Sequence, residues 1–364
     1  MNANESPVRG PLPDRPLLGL TVGDPAGIGP EVCLMAARDP RAGVARLLAI
    51  GSRVALERAR AVVTDPPELR VVGSPAKARF EPGVLDVLVV PSDQVVAVGE
   101  LSVAAGQIAY EGVERAVSLA VAGEIDGIVT APLNKEAIAL AGHPYPGHTE
   151  ILADLTGTRD FAMMLTAHRL RVVHVTTHIG IRQVLERVTT DRVLTTIRLA
   201  HRALLDMGLE APSVGVAGLN PHAGERGLFG DEELTTILPA IERARAEGID
   251  ATGPWPADTL FGRAVHGDFD VAIAMFHDQG HIAVKVLGFE TGVNATIGLP
   301  IVRTSVDHGT AFDIAGTGTA GHDSLVEAIQ VGAAMASARL QAGLCDRAAA
   351  PATPSGTALE EETA

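Results

Sequence analysis

Short, largely apolar runs recur along the chain, and between them apolar residues return every three or four positions. The runs 17–22, 45–51, 84–90, 127–131, 171–177, 213–219 and 271–276 are rich in Val, Ile, Leu and Ala. Runs of that length, bounded by Gly and Pro, predict strands buried on both faces. The stretches 31–39, 52–62, 107–123 and 193–208 carry the helical period. Strands alternating with helices predict an α/β fold on a largely parallel sheet. No internal repeat is present. Residues 1–14 and 347–364 are rich in Pro, Ala, Ser, Thr and Glu, which predicts disordered tails.

Composition narrows the function. The chain has 364 residues, 46% of them apolar, enough for a sizeable core and, at roughly 150 residues per domain, for two domains or one large one. A net charge of −15 and only 3% aromatics argue against nucleic acid or an anionic membrane as partner. Two cysteines, Cys33 and Cys345, are too few for a disulfide scaffold. The N-terminal stretch lacks a secretory apolar region, and no run approaches the ~20 residues of a membrane span, so a cytoplasmic protein is expected.

In α/β sheets, ligands bind beyond the carboxyl ends of strands. Three predicted strands run there into a histidine followed closely by glycine: His178, His222 and His277. One such histidine reads as a polar surface or capping residue. Three at equivalent ends suggest a shared divalent-metal site, because neutral imidazoles bind such ions and leave a position open. His281 lies four residues after His277, but Gly280 and the preceding strand predict a loop, which makes His281 a weaker ligand. Gly147-His148-Thr149-Glu150 precedes an amphipathic stretch, with Thr149 as expected N-cap and an anion-binding helix start as the functional reading. Lys285, Asn294 and Arg303 punctuate an apolar, Gly-rich stretch where cations need anionic partners. Asp258 reads as an N-cap. Gly316–Gly321 matches GxGxxG without the strand and acidic residue of a dinucleotide fingerprint. Asn294-Ala-Thr296 matches a glycosylation sequon with no secretory context.

Together, LTVGDPAGIGPEV (20–32), TAPLNKEAI (130–138), GHTEILA (147–153), GLNPHAGE (218–225), PADTLF (256–261), MFHDQGH (275–281) and IVRTSVDHGTAFDIAG (301–316) resemble the 4-hydroxythreonine-4-phosphate dehydrogenase family, over about residues 17–340. The resemblance implies two α/β/α lobes around a central cleft, as in isocitrate and isopropylmalate dehydrogenases, and not a Rossmann domain. The first lobe would be 15–130 plus 301–346, with the NAD loop; the second would be 131–300, with the metal and substrate residues. It further implies a homodimer with its site at the subunit interface. One divalent cation (Zn, Mg, Mn or Co) would be held by His178, His222 and His277. Substrate would be held by His148, Thr149, Lys285, Asn294 and Arg303. NAD would lie on His308, Gly309, Thr310, Ala311, Asp313 and Ile314. The base stays open between Lys285 and the aspartates Asp258 and Asp278. Biosynthetic members continue HDQG with Leu-Pro, whereas His281 follows here. That form resembles the branch acting on 4-phospho-D-threonate or 4-phospho-D-erythronate. The implied reaction is oxidative decarboxylation of a small phosphorylated hydroxy acid to dihydroxyacetone phosphate. The rivals are 4-hydroxythreonine-4-phosphate oxidation in pyridoxal phosphate biosynthesis, a phosphate acyltransferase and a non-catalytic ligand sensor.

Overall fold

The computed structural model describes residues 15–288 and 292–343. The expected tails, 1–14 and 347–364, and Cys345 lie outside the described residues. The strands are β1 (Leu17–Thr21), β2 (Arg46–Gly51), β3 (Glu68–Val71), β4 (Val84–Val89), β5 (Gly127–Thr130), β6 (Ala162–Ala167), β7 (Leu170–His174), β8 (Ser213–Ala217), β9 (Asp250–Trp255), β10 (Val271–Ala274), β11 (Val293–Ile297) and β12 (Arg303–Val306). The helices are α1 (Gly29–Arg38), α2 (Arg53–Ala59), α3 (Val103–Val121), α4 (Lys135–Leu140), α5 (His148–Leu155), α6 (Ile181–Arg187), α7 (Thr190–Asp206), α8 (Leu238–Ala246), α9 (Ala257–His266), α10 (His277–Leu287) and α11 (Asp323–Gln341). Among the described residues, no helix is long and apolar enough to cross a membrane.

The fold is α/β, on one sheet of order β3-β4-β2-β1-β5-β12-β11-β6-β7-β10-β8-β9. Pairings are parallel except β11 with β12, β11 with β6 and β6 with β7. The five strands without a sequence prediction (β3, β6, β9, β11, β12) include both members of the central β12-β11 pair. In β11 and β12, polar residues at alternate positions break the apolar run.

Each strand offers a different apolar set to each face, as the two-residue period requires. On one face, Leu18, Leu20, Val129, Val173, Val216 and Ile273 join residues of α1, α7, α8 and α11 in one continuous core. The other face carries two separate cores. Ile50 and Ile128 pack with α3 and α5, while Val172, Ala272 and Ala274 pack with α9 and α10. Between those cores, β5, β12 and β11 present Thr130, Arg303, Ser305, Asn294 and Thr296. The cleft opens there, where no apolar cluster spans the sheet.

One local expectation is overturned. Residues 277–281 start helix α10 and do not form a loop. Gly280 is helical because the helix lies directly on β7. A Cβ on Gly280 would sit 2.4 Å from His174 Nε2 and 2.6 Å from Val172 Cγ1. Both are too close for any side chain. Gly280→Ala should therefore destabilise the protein by about 1–3 kcal/mol through overpacking. A thermal melt lower by several degrees checks this; an unchanged melt contradicts the packing.

Candidate active site

A cleft of about 360 Å³ lies over the mid-sheet gap. Its lining includes Thr130, Lys135, His148, Thr149, His178, His281, Asn294, Arg303, His308 and Gly309. Arg303 is only 2% exposed. Its Nη1 donates to Thr296 Oγ1 (2.9 Å) and its Nη2 to Thr130 Oγ1 (2.8 Å). Burial pushes the guanidinium down to about 9, with Glu150 partly opposing. That is the direction expected for a charge held without a close counter-ion.

Polar atoms left without a partner gather around it. Arg303 Nε, His148 Nε2 and Asn294 Oδ1 are buried and unpaired. Buried polar groups are normally hydrogen-bonded, so three orphans lining one cleft point to a ligand. His148 is held well below its usual pKa, chiefly by burial and further by Arg303 and Lys135. It is a neutral donor or acceptor, not a cation. Helix α5 begins at His148 with Gly147 at its N-cap, and no side chain caps it. Thr149 is therefore not the N-cap. Its hydroxyl lies 3.3 Å from that of Thr296, which continues the line of hydroxyls from Arg303.

Lys285 projects from α10 to Asp307, with Nζ 2.5 Å from Oδ2 and a further bond to the backbone carbonyl. Asp258 lies in the first turn of α9, exposed, with Pro256 at the N-cap. It is neither the cap nor part of the cleft lining. Asp278 is also exposed, and its Oδ1 lies 2.7 Å from His277 Nδ1. A carboxylate on Nδ1 fixes the ring and leaves Nε2 with its lone pair, as around bound metals.

The structure brings the histidines together only in part. His178 and His277 have ring centroids 5.6 Å apart. His281 stacks on His277 at 3.6 Å, since helical spacing puts both on one face. His281 Nδ1 also meets Nε2 of the buried His174 at 3.2 Å. Burial lowers the pKa of His174 to about 3 and of His281 to about 4, with neighbouring imidazoles adding to both shifts. His178 is lowered by burial, Lys135 and His277. His222 instead sets its ring against Phe229. Among the described residues, no three His, Cys, Asp or Glu side chains form a complete ligand set. His178 and His277 fit a cation by their imidazole nitrogens, but His222 does not join them within one chain.

His222 sits in an unusual loop. His222, Ala223, Glu225 and Arg226 all have positive φ, between 43° and 58°. Strain of this kind persists only when the surroundings enforce it. Glu233, which the sequence reading missed, does so: it is 1% exposed and accepts from Leu219 N, Asn220 N and Asn220 Nδ2 at 2.7–3.0 Å. Gln279 links this loop to α10. Its Oε1 accepts from Met275 N, and its Nε2 donates to Gly218 O.

His308 and Gly309 border the cleft, and the following loop runs toward α1. The GxGxxG match at 316–321 is not a free anion cradle. The amides of Gly316 and Gly318 donate to the Glu31 carboxylate. Thr130, Thr296, His174, Glu31 and Lys135 also escaped the sequence reading. Alternating polarity in VNATI and RTSV was the available signal, because it puts Asn294, Thr296, Arg303 and Ser305 on one face.

A family model described as "Pyridoxal phosphate biosynthetic protein PdxA" matches residues 43–332. The D-threonate 4-phosphate dehydrogenase of Cupriavidus necator is 51% identical over 329 residues, 89% of this chain and 98% of that protein. A 4-hydroxythreonine-4-phosphate dehydrogenase of Beijerinckia indica is 50% identical over 314 residues, 86% of this chain and 92% of that protein. A crystal structure of 4-hydroxythreonine-4-phosphate dehydrogenase from Klebsiella pneumoniae superposes with a TM-score of 0.81 at 45% identity, covering 88% of this chain and 99% of that one.

The environment of Arg303 leads to a paired expectation. Arg303→Met removes a buried charge without removing bulk, so the unliganded protein should gain about 1–4 kcal/mol of stability. Activity should fall by roughly 30- to 1000-fold in kcat/KM, from ~2–4 kcal/mol of lost charged contact. Calorimetric melts and steady-state rates measure the two. A variant that is less stable and fully active would contradict both.

Proposed function

We propose, since the chain belongs to the family of the pyridoxal phosphate biosynthetic protein PdxA, that it is an NAD-dependent dehydrogenase of a 4-phosphorylated C4 3-hydroxy acid. The substrate is 4-phospho-D-threonate or 4-phospho-D-erythronate, and the products are dihydroxyacetone phosphate and CO2. The observation that carries this reading is the buried, counter-ion-free Arg303 among unpaired His148 and Asn294. That cluster supports an anionic ligand with hydrogen-bonding groups. Among the most similar relatives, those named for D-threonate 4-phosphate favour the hydroxy acid over the amino acid.

The chain's own residues divide the work. Arg303, with Thr149 and neutral His148, binds the phosphate end of the substrate through charge-assisted bonds. Asn294 orients a hydroxyl, and Asp307 holds the Lys285 amine at the rim. Proton removal from the reacting hydroxyl falls to Lys285 or to Asp278 acting through water; the position of Asp258 on α9 does not support it as base within one chain. When bound, NAD accepts the hydride, and a divalent cation supplies Lewis-acid polarisation of the hydroxyl and stabilisation of developing negative charge. Oxidation at C3 makes a β-keto acid, which loses its carboxylate as CO2.

The cation would be held by His178 and His277, with Asp278 fixing the His277 ring, and by His222. We assign this set to a homodimer, with the two lobes 15–130 plus 301–346 and 131–300 of each chain facing the shared site. The exposed, strained His222 loop and the exposed apolar residues Leu228, Phe229, Ile282 and Val286 support a partner chain there. NAD would be held by His308, Gly309, Thr310, Ala311, Asp313 and Ile314. The protein is read as cytoplasmic.

Two outcomes follow. Enzyme, NAD, Mg, Mn, Co or Zn and each candidate acid should give NADH and dihydroxyacetone phosphate in equal amounts from the phosphorylated hydroxy acids. Turnover of 4-hydroxythreonine 4-phosphate alone would return the chain to the biosynthetic reading. Chelation should abolish turnover and a divalent cation restore it. Each of His178→Ala, His222→Ala and His277→Ala should lose bound metal, measured by elemental analysis, while staying folded. Full activity of metal-free protein would remove the cation from the account.

A further inference from the structure

The GDPAGIGPE motif takes no part in the cleft chemistry, yet the fold buries one of its charges. Glu31, in the first turn of α1, is 2% exposed. Its Oε1 accepts from Gly316 N at 2.5 Å and its Oε2 from Gly318 N at 2.8 Å. Bonds to an ionised acceptor are about twice as strong as neutral ones. With one amide on each oxygen, the carboxylate fixes the separation and direction of two peptide planes. Those planes belong to glycines at φ 81° and 71°, residues with little conformational preference of their own.

The same segment grips the loop farther upstream. Ile28 N donates to Thr310 O at 3.0 Å. Gly27 lies so close that a Cβ there would meet Thr310 at 2.8 Å. Arg58 braces the segment from behind, donating to Pro25 O and to Val96 O. Residues 27–31 therefore hold the chain at Thr310 and again at Gly316–Gly318, on both sides of Asp313 and Ile314.

We propose that Glu31 is the positioning residue of the dinucleotide site, setting the shape of the His308–Ile314 loop from beneath. This inference rests on the assignment of NAD to that loop. It also gives the glycines of 316–318 a use: they offer amides to a carboxylate of the protein, not to a phosphate.

The test uses the full-length, metal-loaded enzyme and the variants Glu31→Gln and Glu31→Asp. Glu31→Gln should raise KM for NAD about tenfold or more, since its one amide oxygen can accept from only one of the two glycine amides, without charge assistance, while its NH2 faces the other. Substrate KM and kcat at saturating NAD should stay within about twofold, which separates loss of cofactor binding from general damage. Glu31→Asp keeps the charge on a shorter arm and should recover part of the loss. If the Gln variant does not fold, the Asp variant carries the same comparison with wild type. Hydrogen exchange supplies the second readout: amides of 316–318 should exchange faster in the variants. In wild type, NAD should protect the 308–318 peptide. Protection of another segment, or of none, overturns the NAD assignment and this proposal with it. Protection of that peptide with an unchanged KM for NAD in the variants overturns the role of Glu31 alone. A rise in both KM values together also overturns it, as it marks a purely structural residue.

Discussion

The Arg303 guanidinium lies in the middle of the sheet against two threonine hydroxyls, with no carboxylate at hydrogen-bond distance among the described residues. Taking a charge out of water is costly, and two neutral acceptors offset only part of that cost. The surroundings bear the mark of it. His148 is kept neutral beside the arginine, and the hydroxyls of Thr130, Thr296 and Thr149 line up around it. An incoming anion would complete the set. The site thus holds half of an ion pair, and in the proposed function the substrate would bring the other half.

The fold makes this possible by interrupting one layer. A single apolar core covers one face of the twelve-stranded sheet, and two separate cores cover the other. The gap between them falls on β5, β12 and β11, where alternate residues are polar. Loops from both sides then converge on it. The start of α5 brings His148 and Thr149, α10 brings His277, His281 and Lys285, and the chain after β12 brings His308. Gln279 ties the loop after β8 to α10, so His222 and His277 are set by one scaffold although they do not meet in one chain.

Much of this was legible in the residues. Apolar runs marked the strands buried on both faces, since each face there meets a helix. The central strands β11 and β12 were not legible as strands, because Asn294, Thr296, Arg303 and Ser305 break the apolar run to line the cleft. The same conflict hid helix α10: Gly280 reads as a helix breaker, yet it is the residue that lets the helix lie on His174. Arg303 was picked out as a cation in an apolar stretch, and its burial follows from that composition. Glu233 and Glu31 were invisible, because each acts on backbone amides at least thirteen residues away. Only the folded chain brings those amides to the carboxylates.

The account turns on an anion completing the Arg303 site. Isothermal titration of the metal-loaded wild type with 4-phospho-D-threonate and with D-threonate compares the two ligands directly. They share the carboxylate and hydroxyls and differ only in the phosphate. Leaving a buried charged group unpaired costs several kcal/mol, so the phosphorylated acid should bind at least about 100-fold more tightly. Equal affinities would mean that Arg303 does not depend on the phosphate, and the reading of the cleft as a phosphorylated-acid site would fail.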